Sequence, residues 1–130
     1  MDKRTRVLNA MNKKEVDHVP VGFWFHFSGE EAAGDACVQA HLNYYRETDL
    51  DFLKVKCDGY FACPLPEIRE AEDWNRVEPL PADHPFIREQ VERAAAIVRE
   101  IRKERCVFYN VFAPFSSFRF GSEEIGRAHV

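Results

Sequence analysis

The sequence predicts an α/β protein in which parallel strands alternate with helices. Three runs rich in β-branched and aromatic residues, at 16–27, 51–61 and 106–115, are separated by two segments whose apolar residues have helical spacing. The three runs lack regular polar alternation, which is typical of strands buried on both faces of a parallel sheet. The order strand, helix, strand, helix, strand predicts right-handed crossovers between parallel strands.

Two helices are expected before the second strand. The first covers about 4–11, with Asp2 placed to cap its first turn. The second covers about 36–47 and follows the loop sequence SGEEAAGD. Its apolar residues recur at intervals of four and three, which is the spacing of one helix face, and they are Val38, Leu42 and Tyr45.

A third helix is expected after a stretch from Pro64 to Pro85 that contains five prolines and is predicted to be irregular. Asp83 and Pro85 mark the start of this helix, because proline favours the first helical position. The helix is expected to pack against the sheet through an apolar face made of Ile87, Val91, Ala94, Val98 and Ile101.

The composition is that of an ordinary globular domain and argues against two classes of partner. The 130 residues are 45% hydrophobic and 31% charged, and the formal net charge is -4. Because basic and acidic residues are interleaved, we expect no basic surface for nucleic acid or anionic membranes. The N-terminus lacks the apolar core of a signal peptide, and no apolar run approaches the roughly 20 residues that span a bilayer. We therefore expect a cytoplasmic protein.

The cysteine pattern gives no sign of a metal site. Cys37, Cys57, Cys63 and Cys106 are scattered without a CxxC pair, which fits neither a zinc ribbon nor a thioredoxin-like motif. Reduced thiols packed as small hydrophobic groups are expected instead. His26 and Asp58 could join Cys57 and Cys63 as metal ligands, but the four residues lack compact ligand spacing. We expect no metal or other cofactor in this portion of the chain.

The last residues, EIGRAHV at 124–130, continue none of these patterns. They match the in-frame translation of a common sequencing adapter. We therefore expect a non-native tail at 124–130 and a natural sequence over residues 1–123.

Three segments together resemble the beginning of the uroporphyrinogen decarboxylase family. They are RVLNAMNKKEVDHVPVGFW, DLDFLKVKCDGYF and VFAPFSSFRFG. The resemblance covers residues 4–121 and implies the first three strands of a (β/α)8 TIM barrel, with an active site at the carboxyl ends of its strands. Since such a barrel needs about 250 residues, we expect an N-terminal portion that is aggregation-prone when residues 1–123 are expressed alone.

Asp58 is the candidate catalytic residue that the resemblance singles out. Taken alone, an Asp-Gly pair at a strand end is more typical of a turn. The resemblance implies instead a carboxylate that accepts hydrogen bonds from pyrrole N–H groups and stabilises the positive charge formed when a pyrrole carbon is protonated and CO2 is lost. It implies cofactor-independent decarboxylation of a tetrapyrrole-like or other cyclic substrate by the intact protein.

Two positions depart from the family pattern. The stretch FWFHFSGEE has two acidic residues and no arginine, where the family carries an arginine-rich loop that pairs with substrate carboxylates. Phe120 stands where the family has a tyrosine. These departures leave the substrate open.

Five other residues near predicted strand ends are candidate site residues. His26 is either a general acid or polar substrate contact, or a histidine hydrogen-bonded within the barrel rim. Trp24 and Tyr60 either form walls for a flat ligand or pack within the fold. Ser116 and Arg119 follow the third strand, where they could meet an anionic group.

Two other functions remain open. Cobalamin-dependent methyltransferases resemble the same family and use zinc, held by residues of later strands, to activate a thiol. Such an enzyme would take a corrinoid or a corrinoid protein as its partner. The third function is a noncatalytic α/β module that binds a ligand. A small-molecule substrate is the expected partner of the enzyme, and the full-length protein could form a homodimer.

Overall fold

The computed structural model describes residues 1–56, 64–114 and 116. Within them the chain forms helices and strands in the order α1 (Lys3–Met11), α2 (Gly34–Glu47), β1 (Phe52–Val55), α3 (Pro85–Ile101) and β2 (Cys106–Tyr109). The predicted mixture of helices and parallel strands is thus confirmed at the level of the α/β class. Among the described residues, no helix combines the length and the apolar character needed to cross a bilayer.

The two strands are neighbours in a parallel sheet, and α3 connects them. The register pairs Phe52 with Cys106 and Val55 with Tyr109, so both strands end at the same edge. This is the strand–helix–strand unit that the sequence predicted. Residues that directly follow Val55 and Tyr109 therefore leave the sheet from neighbouring positions.

The core lies between one face of this sheet and helices α2 and α3. Leu53 and Val55 of β1 face the helices, and Val55 is completely buried. Burying an aliphatic side chain of this size stabilises a fold by about 1.5–3 kcal/mol. The cluster consists of Val38, Leu42, Leu53, Val55, Ile97 and Ile101.

The helix starts follow simple capping chemistry. Asp2 caps α1 as predicted, since its carboxylate accepts a hydrogen bond from the Thr5 N–H at 2.8 Å. Pro85 is the first residue of α3, also as predicted. The cap of α3 is not Asp83 but His84, whose Nδ1 accepts from the Phe86 N–H at 3.2 Å.

The apolar face predicted for α3 is correct at Ile101, which lies in the core, but it is wrong in its rotation about the helix axis over the rest of the helix. Ile97 and the polar Gln90 and Arg93 are buried, whereas Val91 is 60% exposed. The Tyr109 hydroxyl donates to the Gln90 side-chain carbonyl at 2.9 Å, which satisfies that buried amide oxygen. The spacing of apolar residues could not predict that the polar residues Gln90 and Arg93 occupy buried positions. The predicted face instead lines an open groove of about 540 Å³, through Ile87, Val91 and Ala94.

The strand predicted over 16–27 does not form. Within the described residues, one backbone hydrogen bond joins this segment to the start of β1, from the Asp51 N–H to the Val21 carbonyl at 2.9 Å. The Val21 N–H is bonded to the Asp51 carboxylate at 2.8 Å, so a side chain replaces the next ladder bond. A methyl group on Gly22 would lie 2.3 Å from the Phe52 ring, and glycine permits this close approach.

The loops and the second face of the sheet also differ from expectation. The stretch predicted to be irregular contains a short 3-10 helix at Ala71–Arg76, capped by Glu70 and Asp73. We expected the predicted strands to be buried on both faces, and this expectation is wrong within the described residues. Phe23, Trp24 and Phe25 are between 49% and 65% exposed. Helices α2 and α3 cover one face of the sheet, and within the described residues Phe52, Lys54 and Phe108 on the second face are half-buried.

Candidate functional site

The candidate site is built on the sheet face that points away from the helices. Since Leu53 and Val55 face the core, side-chain alternation places Phe52 and Lys54 on the opposite face. The same alternation along β2 places Phe108 beside them, and the Phe52 and Phe108 rings meet edge to face with centroids 5.0 Å apart. We call the surface formed by Phe52, Lys54 and Phe108 the open face.

Trp24, a predicted ligand contact, lies against the open face. The ammonium nitrogen of Lys54 is 3.5 Å from the centroid of a Trp24 ring, and Trp24 is 51% exposed. A cation over an exposed indole is attracted by about 0.5–1 kcal/mol. The sequence indicated Trp24 but not Lys54, because the direction of the Lys54 side chain follows only from knowing which residues of β1 are buried.

The segment that carries Trp24 is held by aromatic side chains of α2. The Phe25 ring packs edge to face against Phe27 and Tyr44, with centroids 4.8 and 4.9 Å away. The Tyr44 hydroxyl donates a hydrogen bond to the Phe23 carbonyl at 3.1 Å. These contacts place Phe25 and Phe27 in packing roles.

His41 of α2 ties the carboxyl end of β1 to the helix layer. Its side chain is 1% exposed, and its Nε2 accepts a hydrogen bond from the Lys56 N–H at 3.0 Å. Because Nε2 accepts, the ring proton of the neutral imidazole is on Nδ1, which donates to the Cys37 carbonyl at 2.7 Å. The imidazole therefore fixes the backbone at the point where the chain leaves the strand. Sequence analysis did not single out His41.

The predicted site residues divide into described and undescribed positions. Trp24 is brought to Lys54, and His26 is an exposed residue of the same segment. Ser116 is half-buried and follows β2. The site predictions that lie outside the described residues are those for Asp58, Tyr60 and Arg119.

The amino end of β1 carries a separate ion network. Arg6 donates to the Asp17 carboxylate from Nε at 2.6 Å and from a terminal nitrogen at 2.8 Å, and its other terminal nitrogen donates to Asp51. The hydrogen bond from Arg6 holds the pKa of Asp17 well below its ordinary value. Burial raises the pKa of Asp51, but hydrogen bonds from the Val21 N–H and from Arg6 outweigh burial and leave this pKa lowered. Both carboxylates are therefore ionised at neutral pH.

Metal binding has no support in the described part of the chain. No group of three or more His, Cys, Asp or Glu side chains is arranged there to hold a metal ion. Cys37 and His41 approach each other, with Sγ and Nδ1 3.6 Å apart. Both ring nitrogens of His41 already make hydrogen bonds, so this pair is a packing contact and not a ligand pair.

The geometry thus brings one predicted residue, Trp24, together with an unpredicted cation, Lys54, on the open face of a parallel sheet. Comparison of the chain with protein-family models, with curated proteins and with solved structures finds no match.

Proposed function

We propose that this chain is the N-terminal part of a (β/α)8 enzyme related to the uroporphyrinogen decarboxylase family, acting on a tetrapyrrole-like or other cyclic substrate. The observation that carries the proposal is the shared carboxyl edge of the parallel strands β1 and β2. The candidates Asp58 and Tyr60 follow β1 in the sequence, and Ser116 and Arg119 follow β2. Functional residues of parallel α/β proteins gather at such an edge.

Two features of the described part support a barrel as the complete fold. Helices α2 and α3 both pack on one face of the sheet, as the outer helices of a barrel do. The opposite face carries Phe52, Lys54 and Phe108, and in a closed barrel this face would turn inward.

The proposed chemistry assigns Asp58 an electrostatic role. A proton adds to a ring carbon, the C–C bond to the carboxyl carbon breaks, and CO2 leaves while the bonding electron pair neutralises the protonated ring. A second proton then replaces CO2 on the side-chain carbon, and the ring loses the first one. The Asp58 carboxylate would stabilise the cationic ring, and His26 would serve as the general acid. The net reaction consumes one proton and needs no oxidant or reductant.

The test compares two aspartate substitutions in the full-length protein. Release of labelled CO2 from carboxyl-labelled uroporphyrinogen is measured for the unmodified protein, Asp58→Asn and Asp49→Asn. We expect Asp58→Asn to lower the rate by about 100-fold or more. Asp49 is exposed and precedes the amino end of β1, so Asp49→Asn is the matched control and should retain the rate.

A second assay separates the alternatives. The same proteins are incubated with methylcobalamin and a thiol, and methyl transfer is followed. Methyl transfer without CO2 release would replace the decarboxylase proposal with the methyltransferase. Absence of both reactions, with a ligand still bound, would identify a noncatalytic binding module.

A further inference from the structure

We infer that Lys54, supported by Trp24, binds the carboxylate of a flat aromatic ligand on the open face. This inference rests on the function proposed above, and it identifies Lys54 as the group that anchors the ligand at that site. It concerns affinity and orientation, and Lys54 takes no part in bond breaking.

The charges on the open face favour an anion. Alternation along β1 assigns Phe52 and Lys54 to this face, and alternation along β2 assigns Cys106 and Phe108 to it. Within the described residues, these strand positions contain one cation and no carboxylate. The ammonium nitrogen of Lys56 is shielded from solvent, whereas the Lys54 side chain is half-buried. Lys54 is therefore the cation that a ligand can reach.

The contact with Trp24 leaves Lys54 able to bind an anion. A cation–π contact attracts the ammonium through the ring face and occupies no carbonyl or carboxylate acceptor. The three N–H groups of the ammonium retain their capacity to donate to a carboxylate. The indole also restricts the long lysine side chain, which lowers the entropy lost when a ligand is bound.

The aromatic surroundings favour a flat ligand. Trp24 is half exposed beside Lys54, and the Phe52 and Phe108 rings continue the apolar surface across the two strands. A planar ring can gain area and stacking contacts there while its carboxylate meets Lys54. A neutral ring of the same shape would keep the apolar contacts and lose the ion pair.

Because the cation is a lysine and not an arginine, Lys54 is limited in the number of carboxylates that it can recognise. An arginine presents a planar fork that matches a carboxylate with two parallel hydrogen bonds, whereas a lysine is a compact point charge. The loop at 23–31 contains no arginine. Lys54 is therefore suited to pair with one carboxylate of the ligand, and the ligand class is an aromatic carboxylate.

The experiment measures binding to the full-length protein by titration calorimetry with 2-naphthoate and with its neutral isostere, 2-naphthamide. We expect 2-naphthoate to bind more tightly, and Lys54→Met to weaken its binding by about tenfold. Binding of 2-naphthamide should be unchanged by Lys54→Met, which also shows that the variant is folded. Trp24→Leu should weaken the binding of both ligands. The matched control is Lys103→Met, at an exposed lysine.

Three results would overturn the role of Lys54: no binding of 2-naphthoate, equal binding of the two ligands, or equal binding before and after Lys54→Met. These results are distinguishable from failure of the proposed function. Unchanged CO2 release by Asp58→Asn would remove the proposed catalytic role and leave the carboxylate site standing. Loss of CO2 release in Asp58→Asn, together with unchanged 2-naphthoate binding in Lys54→Met, would leave the proposed catalytic role standing and remove the carboxylate site.

Discussion

At its amino end, β1 is preceded by Asp51, which is 3% exposed and bonded to Arg6 and to the Val21 N–H. At its carboxyl end it is followed by Lys56, which is 4% exposed and whose backbone N–H is bonded to His41. Both ends bury a charged residue, but the partners differ. The amino end closes an ion pair between side chains, whereas the carboxyl end uses a neutral ring to hold the backbone.

Under the binding role proposed for Lys54, this difference separates stability from binding along a single strand. A closed ion network fixes α1 and the segment at 17–21 to the sheet and leaves its carboxylates committed to Arg6. Near the carboxyl end of β1, on the open face, the Lys54 ammonium lies against the half-exposed Trp24 ring. In parallel α/β sheets, ligands bind outside the carboxyl ends of the strands. Substitutions at the two ends should therefore change different measured quantities.

The largest expected effect on stability is at the amino end. Asp51→Asn keeps the shape of the side chain but removes its charge, so Arg6 loses one of two carboxylate partners. Losing a hydrogen bond between charged groups costs about 2 kcal/mol. Chemical unfolding of the protein should show this loss, while the affinity for 2-naphthoate stays the same. A weakened affinity in the folded variant would contradict the separation of the two ends.

The same network predicts a dependence of stability on pH. The folded-state pKa values of Asp17 and Asp51 are lowered, so their stabilisation is present above the pKa of an unfolded aspartate, about 4. It is lost as the pH falls through the lower folded-state values. The difference in unfolding free energy between the unmodified protein and Asp51→Asn should therefore shrink below about pH 4. A difference that stays constant to pH 3 would show that the Asp51 charge is not its source.

The sequence predicted those features that depend on neighbouring residues. Local spacing and local steric limits predict the Asp2 cap, Pro85 at the first position of α3, the face of α2 and the positions of β1 and β2. The rotation of α3 was missed because Gln90 finds a hydrogen-bond partner on β2, a contact that spacing does not show. A strand over 16–27 was predicted wrongly because propensity does not reveal that the Asp51 side chain replaces a ladder bond.

The site was predicted in part for the same reason. Trp24 was identified as an aromatic residue near a predicted strand end, and its place beside Lys54 is an outcome of packing. Lys54 and His41 carry no sequence motif. Their positions depend on side-chain direction and on tertiary contacts such as the hydrogen bond between His41 and Lys56, which lie 15 residues apart.

An intermediate effect is expected at the carboxyl end. His41→Phe retains a buried ring but leaves the Lys56 N–H without its acceptor, at a cost of about 1–2 kcal/mol. Because the strand end moves with that bond, 2-naphthoate affinity should fall as well. His84→Phe is the matched control, since His84 also accepts a backbone N–H but at the half-buried start of α3. Loss of stability with unchanged 2-naphthoate affinity in His41→Phe would assign His41 to packing alone.

The smallest effect is expected from two adjacent tyrosines of α2. The Tyr44 hydroxyl donates to the Phe23 carbonyl at 3.1 Å, whereas the Tyr45 hydroxyl donates to Glu104, just before β2. Replacing either with phenylalanine should cost about 0.5–1 kcal/mol, because each loses one hydrogen bond near the surface. Only Tyr44→Phe should also lower the affinity for 2-naphthoate, by a few-fold, because Phe23 adjoins Trp24. Equal 2-naphthoate affinity in the two variants would mean that Trp24 is positioned by its ring contacts without help from the Phe23 carbonyl.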